Sequence, residues 1–267
     1  PATKQAYRTA KILNFDITVF APKGRGEAGT LEMVHFLKKV LEERYDGICI
    51  SPIADLRVEK LLQKMAEKGV EVIFILSAFD SVPYRTLIGT DSYQCGRSTG
   101  EAVREALGAD GAVGIIKWKD NLIETVEDRY HGVVDVLKEN RIPYYDMTGP
   151  GEPTAEEATK LTDRLLTEHP DISVLCATNV GWGLAFARYL KSKGKKVKLV
   201  TVDFTDEVGE FMKAGYVDAA IAQRPESWGS MTLEKIEAVF EGQSIPKTID
   251  TGTYPVTPAN IRIYVKD

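Results

Sequence analysis

The sequence predicts an α/β protein of two doubly wound, Rossmann-like lobes, each a parallel sheet covered by helices. Three observations lead there. Short runs rich in Val, Ile and Leu alternate with helical stretches along nearly all of the 267 residues, the pattern of parallel strands joined by crossover helices. About ten such runs occur, too many for one small sheet. No Pro/Gly/Ser-rich linker divides the chain, so it passes between lobes through short ordered segments.

Taken in order, residues 3–13 predict a helix and Asp16–Phe20 a strand. A helix over 29–44 precedes the strand Gly47–Ile50. The next helix, 55–68, stops at Gly69, a residue free to take the left-handed backbone that ends helices. Val70–Leu76 and Thr86–Gly89 are strands, followed by helix 93–107, strand 112–117 and helix 123–140. Then come strand Pro143–Met147, helix 154–168, strand Ser173–Ala177, helix 181–193 and strand 197–202. A helix over 205–214 ends at Gly215, before strand Val217–Ala222 and helix 226–241, and the tail after Pro246 is extended. The opening helix has no strand in front of it, although a doubly wound lobe begins on a strand lying centrally in its sheet.

Composition removes several function classes. With a net charge of −5 the chain has no global basic field for nucleic acid or anionic lipid. The basic residues of Lys191–Lys198 are broken by Gly194 and read as a solvated helix end. Three widely spaced cysteines, Cys49, Cys95 and Cys176, make no disulfide framework. No apolar run is long enough to span a bilayer. No His/Cys/Asp/Glu spacing resembles a metal site, and His35, His131 and His169 all fall on helices away from strand ends. With no G-x-S-x-G elbow either, no catalytic residue, metal or cofactor is expected. Gly24–Gly29 matches G-x-G-x-x-G, but Pro22-Lys23 separates it from the preceding strand, and the next strand ends at Ser51-Pro52 without an acid for a ribose hydroxyl. A dinucleotide-dependent oxidoreductase would rest on that loop alone; a β–α loop is the simpler reading.

What remains is a set of polar residues at strand ends, where open parallel sheets hold their ligands. Leu199–Val202 runs into Asp203 and Ala219–Ala222 into Gln223; Asp91 and Asn179 stand in comparable places. Carboxylates and amides suit sugars, because each hydroxyl both donates and accepts. Asp91 and Asn179 also read as helix N-caps. Arg129, early in a helix, offers a five-donor fork or, equally on spacing, an i,i+4 partner for acids of its own helix. Trp118, just past a strand end, Trp182, three residues past Asn179, and Phe79 supply rings for an apolar sugar face or for the core.

Several segments together resemble the type I periplasmic binding proteins of the ribose/galactose kind, which share their fold with the effector domains of lac-repressor-family regulators. Tyr45–Pro52 is similar to the family's third strand, Gly89–Arg97 to its G-x-D-N-y-x-x-G-r segment with Ser92 where Asn is usual, and Glu127–Gly132 to its E-R-x-x-G-f helix. Thr201–Asp203 with Met212–Asp218 resembles the G-f-D...i-k-x-G-x-i-d stretch, and Ala222–Gly229 the Q-x-P-x-x-x-G. The resemblance covers nearly the whole chain. It implies two lobes, residues 1–90 with 224–250 and 91–223 with 251–267, joined by three crossovers, with the ligand in the cleft and hinge closure around it.

Carried over by motif, Arg129, Asn179, Asp203 and Gln223 would contact ligand, Asp91 and Gln223 would border crossovers, and Asp80 would be the contact from lobe one. The chain departs from the family at Val180, where Asp often follows Asn, at Trp182, at Ser77–Asp80 and at Glu152-Pro153, which lacks an aromatic. The family's first strand and following loop are absent; Pro1 falls in or just after that loop. The implied role is capture of a monosaccharide or related small polyol outside the cytoplasm, for the permease of an ABC importer or a sensor kinase ectodomain, with no enzymatic step and no nucleic acid bound by this segment. The alternative is a cytoplasmic regulator's effector domain. A signal sequence or lipobox before Pro1 goes with the first, a helix-turn-helix with the second.

Overall fold

Met33, Leu37 and Val40 recur at helical spacing, and a helix can bury all of them on one face. The same logic places nearly every element where its apolar period predicts. A computed structural model describes residues 2–24, 26–108, 110–118, 124–151 and 153–264. In chain order these form α1 (Ala2–Leu13), α2 (Glu27–Glu43), β1 (Gly47–Ile50), α3 (Leu56–Glu67), β2 (Glu71–Ile75) and β3 (Thr86–Gly89). There follow α4 (Ser92–Leu107), β4 (Ala112–Trp118), α5 (Glu124–Glu139), β5 (Tyr144–Gly149), α6 (Ala155–Glu168), β6 (Ile172–Ala177), α7 (Val180–Lys193) and β7 (Lys198–Val202). The chain closes with α8 (Asp206–Lys213), β8 (Ala219–Ala222), α9 (Pro225–Phe240), β9 (Thr248–Asp250), β10 (Tyr254–Val256) and a 3-10 turn at Ile261–Ile263. Pro1, Arg25 of the glycine loop, the first predicted residue of the helix at 123, and Glu152 lie outside the described residues.

Two compact units result, one of residues 1–90 and 224–251, the other of 91–223 and 252–267. The chain passes between them at 90/91, 223/224 and 251/252. The first unit holds a parallel sheet in the order β1-β2-β3-β9. Its core joins Leu37, Val58, Leu62, Met65 and Phe74 from α2, α3 and β2, and α1 packs along α9. The second unit holds the order β10-β8-β7-β6-β4-β5, parallel except for β10, which runs antiparallel to β8. Leu175, Phe186, Leu190 and Leu199 fill one side of that sheet, and Val113, Ile115, Val133 and Leu137 the other.

One predicted strand does not form. Asp16–Phe20 forms no strand and pairs with none among the described residues. It lies near β1, with Thr18 Oγ1 3.1 Å from the Tyr45 hydroxyl and the Phe20 ring stacked on Phe36. A β-branched run becomes a strand only where a neighbour accepts its ladder bonds, since β-propensity reports fit to a sheet.

Helices α4 and α5 approach unusually closely. A Cβ on Gly96 would collide with the main chain of Arg129, and one on Gly132 with the carbonyl of Tyr93. These two glycines therefore set the depth at which α5 lies, and with it the position of Arg129. Gly96→Ala is expected to cost about 1–3 kcal/mol through overpacking, read as a lowered urea midpoint. An unchanged midpoint would show that the helices separate freely.

Candidate ligand-binding site

The parallel strands β8, β7, β6 and β4 are neighbours in the second unit, so their carboxyl ends share one edge. Register brings specific residues level there. Ile115 of β4 pairs with Cys176 of β6, so three residues further on Trp118 comes level with Asn179. Ala177 pairs with Thr201 of β7, so two residues further on Asn179 comes level with Asp203. Val202 pairs with Ile221, so Asp203 comes level with Ala222, and Gln223 stands one residue beyond.

Each of these side chains is held by local structure. Asn179 is the N-cap of α7: its Oδ1 accepts the Trp182 backbone N–H at 3.0 Å, as cap geometry requires. Asp203 takes a left-handed backbone with φ 70°, a region Asp tolerates better than most residues, and its N–H donates to the Ile221 carbonyl at 2.9 Å. Its carboxylate accepts from Gln223 Nε2 at 2.6 Å. Arg129, only 7% exposed, reaches from α5 to the Thr178 carbonyl at 3.4 Å, and no carboxylate pairs with it among the described residues.

Unmet hydrogen bonds mark this edge. Among the described residues, the buried side-chain atoms without a partner are Thr86 Oγ1, Trp118 Nε1, Arg129 Nε, Ser173 Oγ, Asn179 Nδ2 and Gln223 Oε1. Thr86 and Ser173 sit near the starts of their strands. The other four belong to residues that sequence reading singled out: Trp118, Asn179 and Gln223 at or just past the carboxyl ends of β4, β6 and β8, and Arg129 on α5. Buried polar groups are nearly always hydrogen-bonded, and leaving one unmet costs about 1–3 kcal/mol.

Two candidates take other roles. Trp182 is wholly buried beside Phe186, with its indole N–H donating to the Pro150 carbonyl at 2.9 Å. The expectation of a ligand-facing ring there is corrected: the first turn of α7 points this residue into the core. Asp91 is the N-cap of α4, its Oδ1 accepting the Gln94 N–H at 2.9 Å. In the first unit, Asp80 is exposed in the loop after β2. The position there that matches Asp203 is Leu76, also left-handed at φ 68°, its N–H donating to the Ile88 carbonyl at 2.9 Å. The two units thus repeat one strand-end turn, with an acid in the second and an aliphatic residue in the first.

Burial pushes the Cys176 thiol up to about 12 and the Cys49 thiol likewise to about 12, so neither is a thiolate near neutral pH. Among the described residues no three His, Cys, Asp or Glu side chains converge as metal ligands, and no helix is long and apolar enough to cross a membrane. In the glycine loop, the Lys23 and Gly24 amides donate to the Glu32 carboxylate at 2.7 and 3.2 Å. The amides a pyrophosphate would need already serve an acid of the same chain.

A family model for the periplasmic binding protein domain matches residues 1–244. The chain belongs to that family. The ribose import binding protein RbsB of Bacillus subtilis is 21% identical over 220 residues, covering 80% of this chain and 69% of that protein. Among solved structures, the arabinose-binding protein AraP of Geobacillus stearothermophilus superposes with a TM-score of 0.87 at 21% identity, over 99% of this chain and 93% of that one. A LacI transcriptional regulator from Bacteroides fragilis, described as putative, does so with 0.78 at 19%, over 99% and 93%. Periplasmic binding proteins and lac-repressor-type regulators thus share this fold, as the resemblance implied. Sequence reading did not find Thr178, whose carbonyl holds Arg129, or Gly96 and Gly132. The spacing of Gly96 and Gly100 on α4 is the signal that marks such a close helix approach.

Proposed function

We propose that this protein is an extracytoplasmic solute-binding protein that captures a monosaccharide or related small polyol and hands it to an ABC importer or membrane sensor, without transforming it. The observation that carries this is the cluster of unmet polar atoms on Trp118, Arg129, Asn179 and Gln223 beside the Asp203 carboxylate. Hydroxyls of a sugar both donate and accept, and so answer a mixed set of amide, guanidinium and carboxylate groups. Asp80 is the contact proposed from the first unit. The import proteins among its relatives support transport over regulation. The regulator reading is favoured only by the shared fold.

Titration calorimetry against a panel of pentoses, hexoses and their alditols tests the proposal. At least one compound is expected to bind with saturable heat at one site per chain. A folded protein giving no heat with any of them would overturn it.

A further inference from the structure

The turn that carries Asp203 is held at both ends and in its middle. It runs from Asp203 to Thr205, between β7 and α8. On the sheet side the Asp203 N–H donates to the Ile221 carbonyl at 2.9 Å. On the helix side Thr205 caps α8, its hydroxyl accepting the Val208 N–H at 3.2 Å. Between them stands Phe204, whose ring meets Tyr264 edge to face at a centroid distance of 6.3 Å. Asp203 has a left-handed backbone at φ 70°, and a residue other than glycine keeps that conformation where the surrounding structure holds it.

Tyr264 is brought to that turn by ordered structure. β10 runs antiparallel beside β8 and sets Tyr254 level with Ala222, the residue that is also level with Asp203. Past β10 the chain turns back: Asn260 Oδ1 accepts the Thr257 N–H at 2.8 Å, and Asn260 Nδ2 donates to the Pro255 carbonyl at 3.0 Å. Val256 and Ile261, both buried in the core of the second unit, anchor this turn on either side. Tyr264 then stacks on Tyr254, with centroids 5.0 Å and planes 26° apart. Tyr264 itself stays 38% exposed, so it closes over the other two rings rather than filling the core.

We infer that Tyr264 is a positioning residue for the candidate site: its contacts with Tyr254 and Phe204 hold the Asp203 turn, and so present the carboxylate at the strand edge. The effect on affinity rests on the ligand class proposed above; the hold on the turn does not. Both ring contacts fall within the separation at which aromatic pairs attract beyond their buried area. The 2.6 Å hydrogen bond from Gln223 to Asp203 depends on the same turn, so loosening it frees two polar groups of the site at once.

Hydrogen exchange of the full chain, read by mass spectrometry without any sugar, tests the hold on the turn. Tyr264→Ala is expected to speed exchange over 202–206 about three- to tenfold, the effect of losing one or two aromatic pairs. Peptides over β4 and α3 should keep wild-type rates. Tyr264→Phe keeps the ring and should restore wild-type exchange; Tyr264→Leu keeps apolar bulk without a ring and should not. Phe204→Leu and Tyr264→Ala combined should be less than additive, since both act through one contact. Calorimetry with the tightest binder among the pentoses, hexoses and alditols then reads affinity, which Tyr264→Ala should weaken about three- to tenfold and Tyr264→Phe should leave intact. Unchanged exchange over 202–206, an equal rise in every peptide, or a loosened turn with wild-type sugar affinity overturns the inference. A loosened turn in a protein whose wild type binds none of the sugars defeats the ligand class and leaves the hold of Tyr264 on Asp203 standing.

Discussion

Asp203→Ala is expected to weaken sugar binding by about 2–5 kcal/mol, the cost of removing one partner from a buried, charge-assisted set. The change acts twice. It removes the carboxylate that register places level with Asn179, and it strips Gln223 Nε2 of its 2.6 Å acceptor. Two amide atoms of Gln223 are then without partners where one was before. The left-handed backbone at φ 70° adds a stability cost for alanine, since Asp is among the few residues that visit that region readily. Asp203→Asn separates the effects: it keeps the backbone preference and one oxygen acceptor, loses the charge, and should fall between wild type and alanine. Calorimetry reads the affinity and urea unfolding the stability. A folded Asp203→Ala protein with wild-type affinity would remove Asp203 from the site.

Trp182→Ala is expected to destabilise the second unit by about 3–5 kcal/mol, the range for deleting a large buried aromatic. Trp182 is the largest fully buried side chain, packed beside Phe186 at a centroid distance of 5.5 Å. Removal leaves a cavity beneath Gly149 and orphans the Pro150 carbonyl. For a unit of this size each kcal/mol shifts the melting temperature by about 2–4 °C, so the transition should move by about 6–20 °C. Trp182→Phe refills much of the space and should cost less. A melting transition unmoved by Trp182→Ala would show that the residue is not part of the core.

The elements were legible because periodicity is a local property. Leu37 and Val40, or Val200 and Val202, reveal their faces whatever packs against them. Asp16–Phe20 has the same local credentials but pairs with no strand among the described residues, because a ladder forms only where a neighbouring segment accepts its bonds. The candidate site rests on polar residues closing apolar strands, Asn179, Asp203 and Gln223, whose positions a parallel sheet directs to one edge. Trp182 was misread because spacing from Asn179 shows nearness along the chain, whereas the first turn of α7 decides which way the ring faces.

Order along the chain, strand and helix identity, and the chemical types gathered at the strand ends are therefore written in residues near one another in sequence. Which donors are left unmet is not. That Asn179 keeps Nδ2 unpaired while spending Oδ1 on its cap, that Arg129 is held to Thr178 by α4–α5 contact at Gly96 and Gly132, and that Trp118 rather than Trp182 has a spare N–H all depend on segments far apart in the chain. Hydrogen bonds and close packing are satisfied in space, and only the assembled sheet shows which groups have already found a partner.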